Sequence, residues 1–495
     1  MQPRKMLFIR PPSTEMGETA RTQNIHQRTI PYGILSIMTY VNRYKTRDIS
    51  LSLLDMNVDD RDVSDVVEEI MPDVVGISAQ YNHVYPWIER IGKMVRDVNG
   101  FAIVLAGGAS VMAYYDQVLN DCPSVDALCY SEGEIPVLDL LESPDMVETL
   151  GTHDSFTIRG QWNKPKATYV ENLDDIPLVD FSLIDLSKYK TKYDVFNPSP
   201  DPNTLFLPIT TTRGCPFNCY FCTVGGLKGK KMRKMSARRV IEDVTTMKEK
   251  YGMTSLGIED DQFTMDAERA KQIFKGLAPL GISVDCMCGM MVCYIDDELI
   301  PLMKPAGIKI VTLPIESGSQ YVLDNIIRKS VKLNTIPDLV RKLKKEGLLV
   351  HANIILGFPG ENKDHWKETR EFLFNSGIDW FHIFCATPLK GSRLYDDCIE
   401  RGYIKAGDLN ADGYIVSSIT TPDFTAEEVT KAVYDMNIDL NFIHNTRMRE
   451  GDYETAASYF SHVARKYPGH AVAHLCLAKA LFKLPEWREY ANHSV

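Results

Sequence analysis

Three cysteines, Cys215, Cys219 and Cys222, stand at C-x3-C-x2-C spacing in the segment Thr212-Arg213-Gly214-Cys215-Pro216-Phe217-Asn218-Cys219-Tyr220-Phe221-Cys222. Three thiolates so spaced can bind three irons of a 4Fe–4S cluster and leave the fourth iron open, a place where a small molecule can be held and activated. A structural zinc site wants four ligands, often as paired knuckles. Neither a fourth cysteine nor a histidine lies near enough in sequence to complete one obviously. The eleven cysteines of the chain are scattered and odd in number, which argues against a disulfide framework and for a reducing compartment.

Further residues of reactive type follow apolar runs. Glu259, Asp260 and Asp261 close the strand-like run 255–258, ahead of Phe263; paired carboxylates there serve either as helix caps or as contacts to a bound cation. Glu316, Ser317, Gly318 and Ser319 close the run 309–315, and a carboxylate buried after such a run needs a partner. Gly357-Phe358-Pro359-Gly360-Glu361 follows 352–356, its glycines permitting a close turn. Cys286, Cys288 and Cys293 form a second sulfur-rich run. Strand alternation places Cys286 and Cys288 on one face, as small buried hydrophobes or with Cys288 lining a substrate cavity as a hydrogen-atom donor. Lys228, Lys230, Lys231, Arg233, Lys234, Arg238 and Arg239 concentrate positive charge directly after the triplet. That stretch is either a solvated surface or a handle for a substrate phosphate or carboxylate.

The elements that must position these residues read as two series of alternating strands and helices. A chain of 495 residues exceeds one ordinary core and divides into two or three domains. Short apolar runs at 6–10, 49–55, 73–79, 102–106 and 127–130, separated by amphipathic stretches such as 33–44 and 85–98, predict a doubly wound, Rossmann-like parallel sheet over 1–145. A linker is expected over 146–203, where Pro198, Pro200 and Pro202 disfavour helix. A second βα series is expected over 204–421, with Ser236 as a helix N-cap and Gly252 as its stop. Residues 422–495 read as helical. Gly451, Tyr453, Ala456, Tyr459, Phe460, Ala464 and Pro468 follow the spacing of one tetratricopeptide-like pair, with a further helix over 471–484. Repeats of that class need several copies to bury a continuous core, so this tail is expected to dock on the barrel as a cap or a wall of the substrate site.

The net charge of −11, with 24% charged residues, carries no global nucleic-acid footprint. No apolar run approaches a membrane span. The start of the chain leads straight into a strand and does not read as a signal peptide, so the expected compartment is the cytoplasm.

The triplet with Phe221 before its last cysteine, the Asp260-Asp261-x-Phe263 element, the Glu316-Ser317-Gly318-Ser319 element, the Gly357–Glu361 turn and Pro388-Leu389-Lys390-Gly391-Ser392-Arg393-Leu394-Tyr395 together resemble the radical S-adenosylmethionine (SAM) superfamily. The resemblance implies a partial (β/α)6 barrel in which the open iron chelates the methionine end of SAM and reductive cleavage yields a 5′-deoxyadenosyl radical. It places Phe221, Asp260, Asp261, Glu316, Ser317 and Gly357 against SAM. Upstream, Arg10-Pro11-Pro12, Ile30-Pro31-Tyr32-Gly33, Ala106-Gly107-Gly108-Ala109-Ser110 and Ser131-Glu132-Gly133-Glu134 resemble the cobalamin-binding domain of cobalamin-type members. Gly107, Gly108, Ser110, Glu132, Gly133 and Glu134 become the implied cobalamin contacts. The D-x-H-x-x-G pattern that supplies a cobalt-ligating histidine elsewhere is absent, since neither His26 nor His83 has the upstream Asp or downstream Gly. Cobalamin bound without that ligand and a vestigial domain both stay open.

What the family implies is cobalamin-dependent methylation of an unactivated carbon or phosphorus centre in a small molecule, with an anionic one as the alternative the basic stretch suggests. An external electron donor such as flavodoxin or ferredoxin is expected, and no nucleic acid. The enzymatic alternative is dehydration, cyclisation or ring rearrangement with a vestigial cobalamin domain; the non-enzymatic one is a cluster-bearing scaffold.

Overall fold

The computed structural model describes residues 3–13, 29–80, 84–161, 165–189, 204–405 and 414–485. His26, His83, Pro198, Pro200 and Pro202 lie outside the described residues.

The first domain is a twisted sheet of β1 (Arg4–Arg10), β2 (Ile49–Asp55), β3 (Val74–Ser78), β4 (Ile103–Gly107), β5 (Ala127–Cys129) and β6 (Phe156–Ile158) in the order β2-β1-β3-β4-β5-β6. All pairings are parallel except β5 with β6. The helices are α1 (Tyr32–Tyr44), α2 (Val63–Ile70), α3 (Tyr85–Val98), α4 (Ala109–Ala113), α5 (Tyr115–Asp121), α6 (Glu134–Glu142) and α7 (Met146–Thr152). The strands are apolar on both faces because both faces are covered. Met6 and Phe8 of β1 enter the core shared with α1 and α6, whereas Leu7 and Ile9 enter the core shared with α2 and α3. Residues 146–158, within the expected linker, supply α7 and the antiparallel edge strand β6. An order of 2-1-3-4-5 reverses direction between β1 and β3, which opens the ligand crevice of such sheets at the carboxyl ends of those strands.

The second series gives β7 (Phe206–Ile209), the two-residue strands β8 (Thr212–Arg213) and β9 (Arg233–Lys234), β10 (Ser255–Ile258), β11 (Ser283–Cys286), β12 (Ile310–Glu316), β13 (Leu349–Leu356) and β14 (Trp380–Cys385). Strands β7, β10 and β11 pair in parallel, as do β12, β13 and β14. A single parallel bridge, Val284 to Ile308, joins the two halves. The result is the expected six-stranded, incompletely closed barrel. Its helices are α8 (Val224–Leu227), α9 (Ala237–Tyr251), α10 (Ala267–Leu277), α11 (Ile300–Met303), α12 (Ile336–Lys345), α13 (Lys363–Asn375) and α14 (Arg393–Glu400). Ser236 caps α9 by accepting from the Arg239 amide, and Gly252 ends it at φ 73°, as the sequence indicated.

The tail comprises α15 (Ala426–Ile438), a π-helical turn Asp439–Ile443, α16 (Thr446–Glu450), α17 (Tyr453–Lys466) and α18 (Ala471–Lys483). It covers the open edge of β14. Asn441 bonds both the amide and the carbonyl of Phe381 at 2.8 Å, and Asn437 donates to the Ile383 carbonyl at 3.1 Å, so side-chain amides replace a missing strand. Lower down, the Tyr459 hydroxyl meets His351 at 2.7 Å and its ring stacks on Trp380 at 5.0 Å. Helix α17 therefore plugs the amino-terminal end of the barrel, opposite the strand ends that carry the motif residues, which makes the tail a cap. Among the described residues no helix is long and apolar enough to cross a membrane.

Candidate active site

The cysteine loop leaves the barrel after β8 and returns at β9, where Arg213 and Arg233 face each other across the two-stranded ladder. Gly214 turns the chain at φ 89°; a Cβ there would lie 2.5 Å from the Lys231 carbonyl, so only glycine fits. Cys215 is buried, and Cys219 and Cys222 are half-buried. Tyr220 anchors the loop to the rest of the barrel. Its amide donates to the Ile327 carbonyl at 3.0 Å, its carbonyl accepts from the Leu394 amide at 3.0 Å, and its hydroxyl donates to Asp397 at 2.9 Å. Phe221 packs 5.8 Å from Phe358, the buried residue of the Gly357–Glu361 turn.

Two residues expected against SAM also hold the loop. Asp260 is enclosed, accepting from the Thr211 hydroxyl at 2.5 Å and the Thr212 amide at 2.9 Å. Asp261 accepts from the Gly214 amide at 3.0 Å and from Lys228 at 2.9 Å. The carboxylate pair after β10 thus fixes the entry to the cysteine loop, because two adjacent strand-end acids can cap backbone amides that no strand partner reaches.

Glu316 ends β12 in the left-handed region at φ 73°, uncommon for a residue with a Cβ and characteristic of functional sites. It is buried and accepts from Lys329 at 2.7 Å. Lys329 also lies within electrostatic reach of Cys215, Cys219 and Cys222. Nothing in the spacing of the sequence singled it out; the π-helical turn Val322–Ile327 delivers it. Ser317 is fully buried against Thr369 of α13, whose close approach also requires Gly318. Ser319 is buried with its hydroxyl unpartnered. Gly357, at φ 94°, gives its amide to Glu361 at 2.6 Å, and Val429 of α15 occupies the place of a Cβ. Burial pushes the Glu361 carboxyl up to about 7, against the pull of the Phe358 and Gly357 amides.

Two further carboxyls lie along the barrel strands. In β11, Val284 and Cys286 are buried in the outer core while Asp285 between them faces inward, with no hydrogen-bond or ion-pair partner among the described residues. Burial alone pushes its pKa up to about 6. Glu259, one step past β10, is likewise raised by burial, with Lys228 opposing. Cys286 and Cys288 do not share a face: β11 stops at Cys286, and Cys288 lies in the following turn, reached by solvent, its thiol pushed up to about 12 by burial and Asp261. Six of the seven residues of the basic stretch form ion pairs. Lys228 pairs with Asp261, Lys231 with Glu171, Arg233 with Glu132, Lys234 with Asp266, Arg238 with Glu242 and Arg239 with Asp243, which leaves little of it for an anionic substrate.

At the first domain, the expected ligand glycines answer to protein contacts. A Cβ on Gly108 would lie 2.5 Å from the Ala79 carbonyl, and one on Gly133 would lie 2.3 Å from the Ile37 side chain; Gly107 would make only an ordinary contact. Glu132 and Glu134 bind Arg213 and Arg233 of the barrel rather than facing the crevice. Ser110, by contrast, is buried at the start of α4 with its hydroxyl unpartnered. Helix α4 packs against α8 of the cysteine loop, and Lys390 reaches Asp116 at 2.7 Å, so the carboxyl ends of the first sheet face the cysteines.

These residues fit the groups the motifs imply. None of the three loop thiols is in a disulfide and all are raised by burial, and cationic iron would hold them as thiolates. Among the described residues no three side chains are grouped as ligands of one metal ion; the ligands of a cubane each take a different iron and stand farther apart. The Ser319 hydroxyl beside Glu316 and the Ser110 hydroxyl at the crevice are the orphaned polar atoms that SAM and cobalamin would satisfy.

Comparison with known proteins agrees. The model of the radical SAM superfamily matches residues 209–373, and that of the B12 binding domain matches residues 19–141. An uncharacterized methyltransferase of Pyrococcus horikoshii is 26% identical over 439 residues, covering 87% of this chain and 91% of the relative. The cytidylyl-2-hydroxyethylphosphonate methyltransferase of Streptomyces wedmorensis is 27% identical over 417 residues, 77% of each. The structure of the radical SAM methyltransferase TsrM from Kitasatospora setae, with cobalamin and its 4Fe–4S cluster bound, shares the fold at a TM-score of 0.66 and 15% identity, over 87% of this chain and 85% of that one. The two matches, in the order the fold requires, give the chain an amino-terminal B12 binding domain followed by a radical SAM superfamily domain.

Proposed function

We propose that the protein is a cobalamin-dependent radical SAM methyltransferase acting on an unactivated carbon or phosphorus centre of a small molecule. The observation that carries this reading is the placement of the first domain's crevice against the cysteine loop, through α4 on α8. When bound, the cluster and SAM supply a radical able to remove hydrogen from an unactivated centre, and cobalamin supplies the methyl group. Two relatives that match over three quarters or more of this chain are named methyltransferases, which favours methyl transfer, while cyclases among the relatives are more distant at 22–23% identity.

The chain's own residues divide the work. Cys215, Cys219 and Cys222 would hold three irons, and the Glu316–Lys329 pair would lie beside SAM. Phe221 and Phe358 close the apolar wall beside it. Asp285 faces the lumen without a partner, so the substrate presents a hydrogen-bond donor, a hydroxyl or ammonium group, rather than an anion. The reductant is an external electron carrier of the flavodoxin or ferredoxin kind.

Anaerobic reconstitution followed by reduction tests the reading. The expected result is 5′-deoxyadenosine from SAM, and retention of added hydroxocobalamin through gel filtration. Absence of SAM cleavage with every reductant overturns the enzyme; loss of the corrinoid overturns methyl transfer.

A further inference from the structure

The loop that carries the three cysteines is closed at its base by a ladder only two residues long, in which Thr212 opposes Lys234 and, on the cysteine side, Arg213 opposes Arg233. Like charges facing each other across two strands push them apart. The repulsion is not relieved within the barrel. It is relieved from the first domain: one oxygen of Glu132 accepts from Arg213 at 3.0 Å and from Arg233 at 2.9 Å, and its other oxygen accepts from Arg233 at 2.5 Å. Glu134 takes the second Arg213 nitrogen at 2.7 Å and is itself oriented by Ser36 of α1 at 2.7 Å. The four side chains are between 2% and 12% exposed and sum to zero charge. Arg233 is held further by the Val170 carbonyl at 3.0 Å and by the Tyr169 ring at 4.4 Å, so the segment between the domains joins the same knot.

We propose that Glu132 is a positioning residue that clamps both ends of the cysteine loop to the first domain and thereby fixes the separation between the cluster and the cobalamin crevice. Glu132 lies just past β5, in the loop that enters α6, while Arg213 is two residues before Cys215. A displacement of the first domain is thus passed to the first cluster ligand through one carboxylate and one short stretch of backbone. Arginine suits both ladder positions because its planar fork can meet two acceptors at once.

The inference rests on the two-cofactor reading, and the experiment separates them. Full-length protein, reconstituted with iron and sulfide and loaded with hydroxocobalamin, is reduced so that cluster and cob(II)alamin are both paramagnetic, and their dipolar interaction is read by pulsed electron paramagnetic resonance. Wild type should give one narrow separation. Glu132→Gln, with all three cysteines intact, should keep its iron but lose that single separation. Glu132→Asp keeps the charge yet is too short to span both arginines, and serves if the amide variant fails to fold; it too should broaden the distribution. Glu132→Gln combined with Arg233→Gln removes one of the opposed cations and should narrow it again. A variant that melts earlier but keeps the wild-type separation overturns the clamp and leaves Glu132 a merely stabilising residue. If wild type itself retains no corrinoid, the two-cofactor reading fails, and the clamp is judged on the cluster alone: an unchanged resonance line shape in Glu132→Gln or Glu132→Asp overturns it.

Discussion

Lys329 donates to Glu316 across 2.7 Å with both side chains only 7% exposed, and Glu316 meets it from a left-handed backbone conformation. A buried pair is worth little relative to apolar replacements, but removing one partner strands the other, typically at about 3–5 kcal/mol. Lys329→Met should therefore melt well below wild type and lose SAM retention after reconstitution. The double variant Lys329→Met with Glu316→Gln should recover most of the stability and none of the SAM retention. Additive losses of stability in the double variant would show that the two groups are not coupled.

Asp285 predicts an unusual pH dependence. Its carboxyl is raised from the ordinary 3.8 to about 6 by burial, so the fold prefers the protonated form, and its destabilising effect appears as pH rises from about 4 through about 6 and is constant above. Asp285→Asn should match wild type near pH 4 and exceed it at pH 8, by up to about 3 kcal/mol, in urea unfolding. Turnover should fall at least tenfold if the substrate donor group binds there. Destabilisation at pH 8 would reveal a protein partner for the carboxylate.

The plug at the base of the barrel gives the opposite sign. Burial lowers His382 from 6.5 to about 4 and, with His382 beside it, lowers His351 well below the ordinary value. Both are neutral in the fold, so stability is full above about pH 6.5 and is lost as the unfolded chain takes up protons below it. His382→Gln should flatten this acid loss, by about 3 kcal/mol at most. Equal acid sensitivity in both proteins, followed by the unfolding midpoint between pH 7 and pH 5, would exclude His382 as its source.

Cys288 lies in a turn beside Asp261, Lys228 and Glu259, outside the cysteine loop. Iron and sulfide content per chain should be unchanged in Cys288→Ala and collapse in Cys222→Ala. If Cys288 gives up a hydrogen atom to a substrate radical, Cys288→Ala should also slow product formation while SAM cleavage continues; equal slowing of both would make it part of the wall only.

Much of this architecture was legible in the sequence because it depends on local order. Short apolar strand runs, the Ser236 cap, the Gly252 stop and the triplet spacing are set by nearest neighbours, and the order of motifs along the chain fixes which strand ends meet. The cysteine spacing and the two βα series were legible in this way, and the resemblance of the ordered motifs supplied the rest. What a carboxylate or a cation does is not local. Asp260 and Asp261 became loop caps, Ser317 packed against Thr369, Glu132 and Glu134 crossed to the other domain, and most of the basic stretch entered ion pairs. Lys329 and Asp285 emerged instead, one brought in by a π-helical turn and the other left alone in the lumen. Charged groups must find partners wherever the chain is desolvated. Those partners lie up to a hundred residues away, so the sequence determined the cofactor chemistry and only the tertiary structure decided which side chains remain available to it.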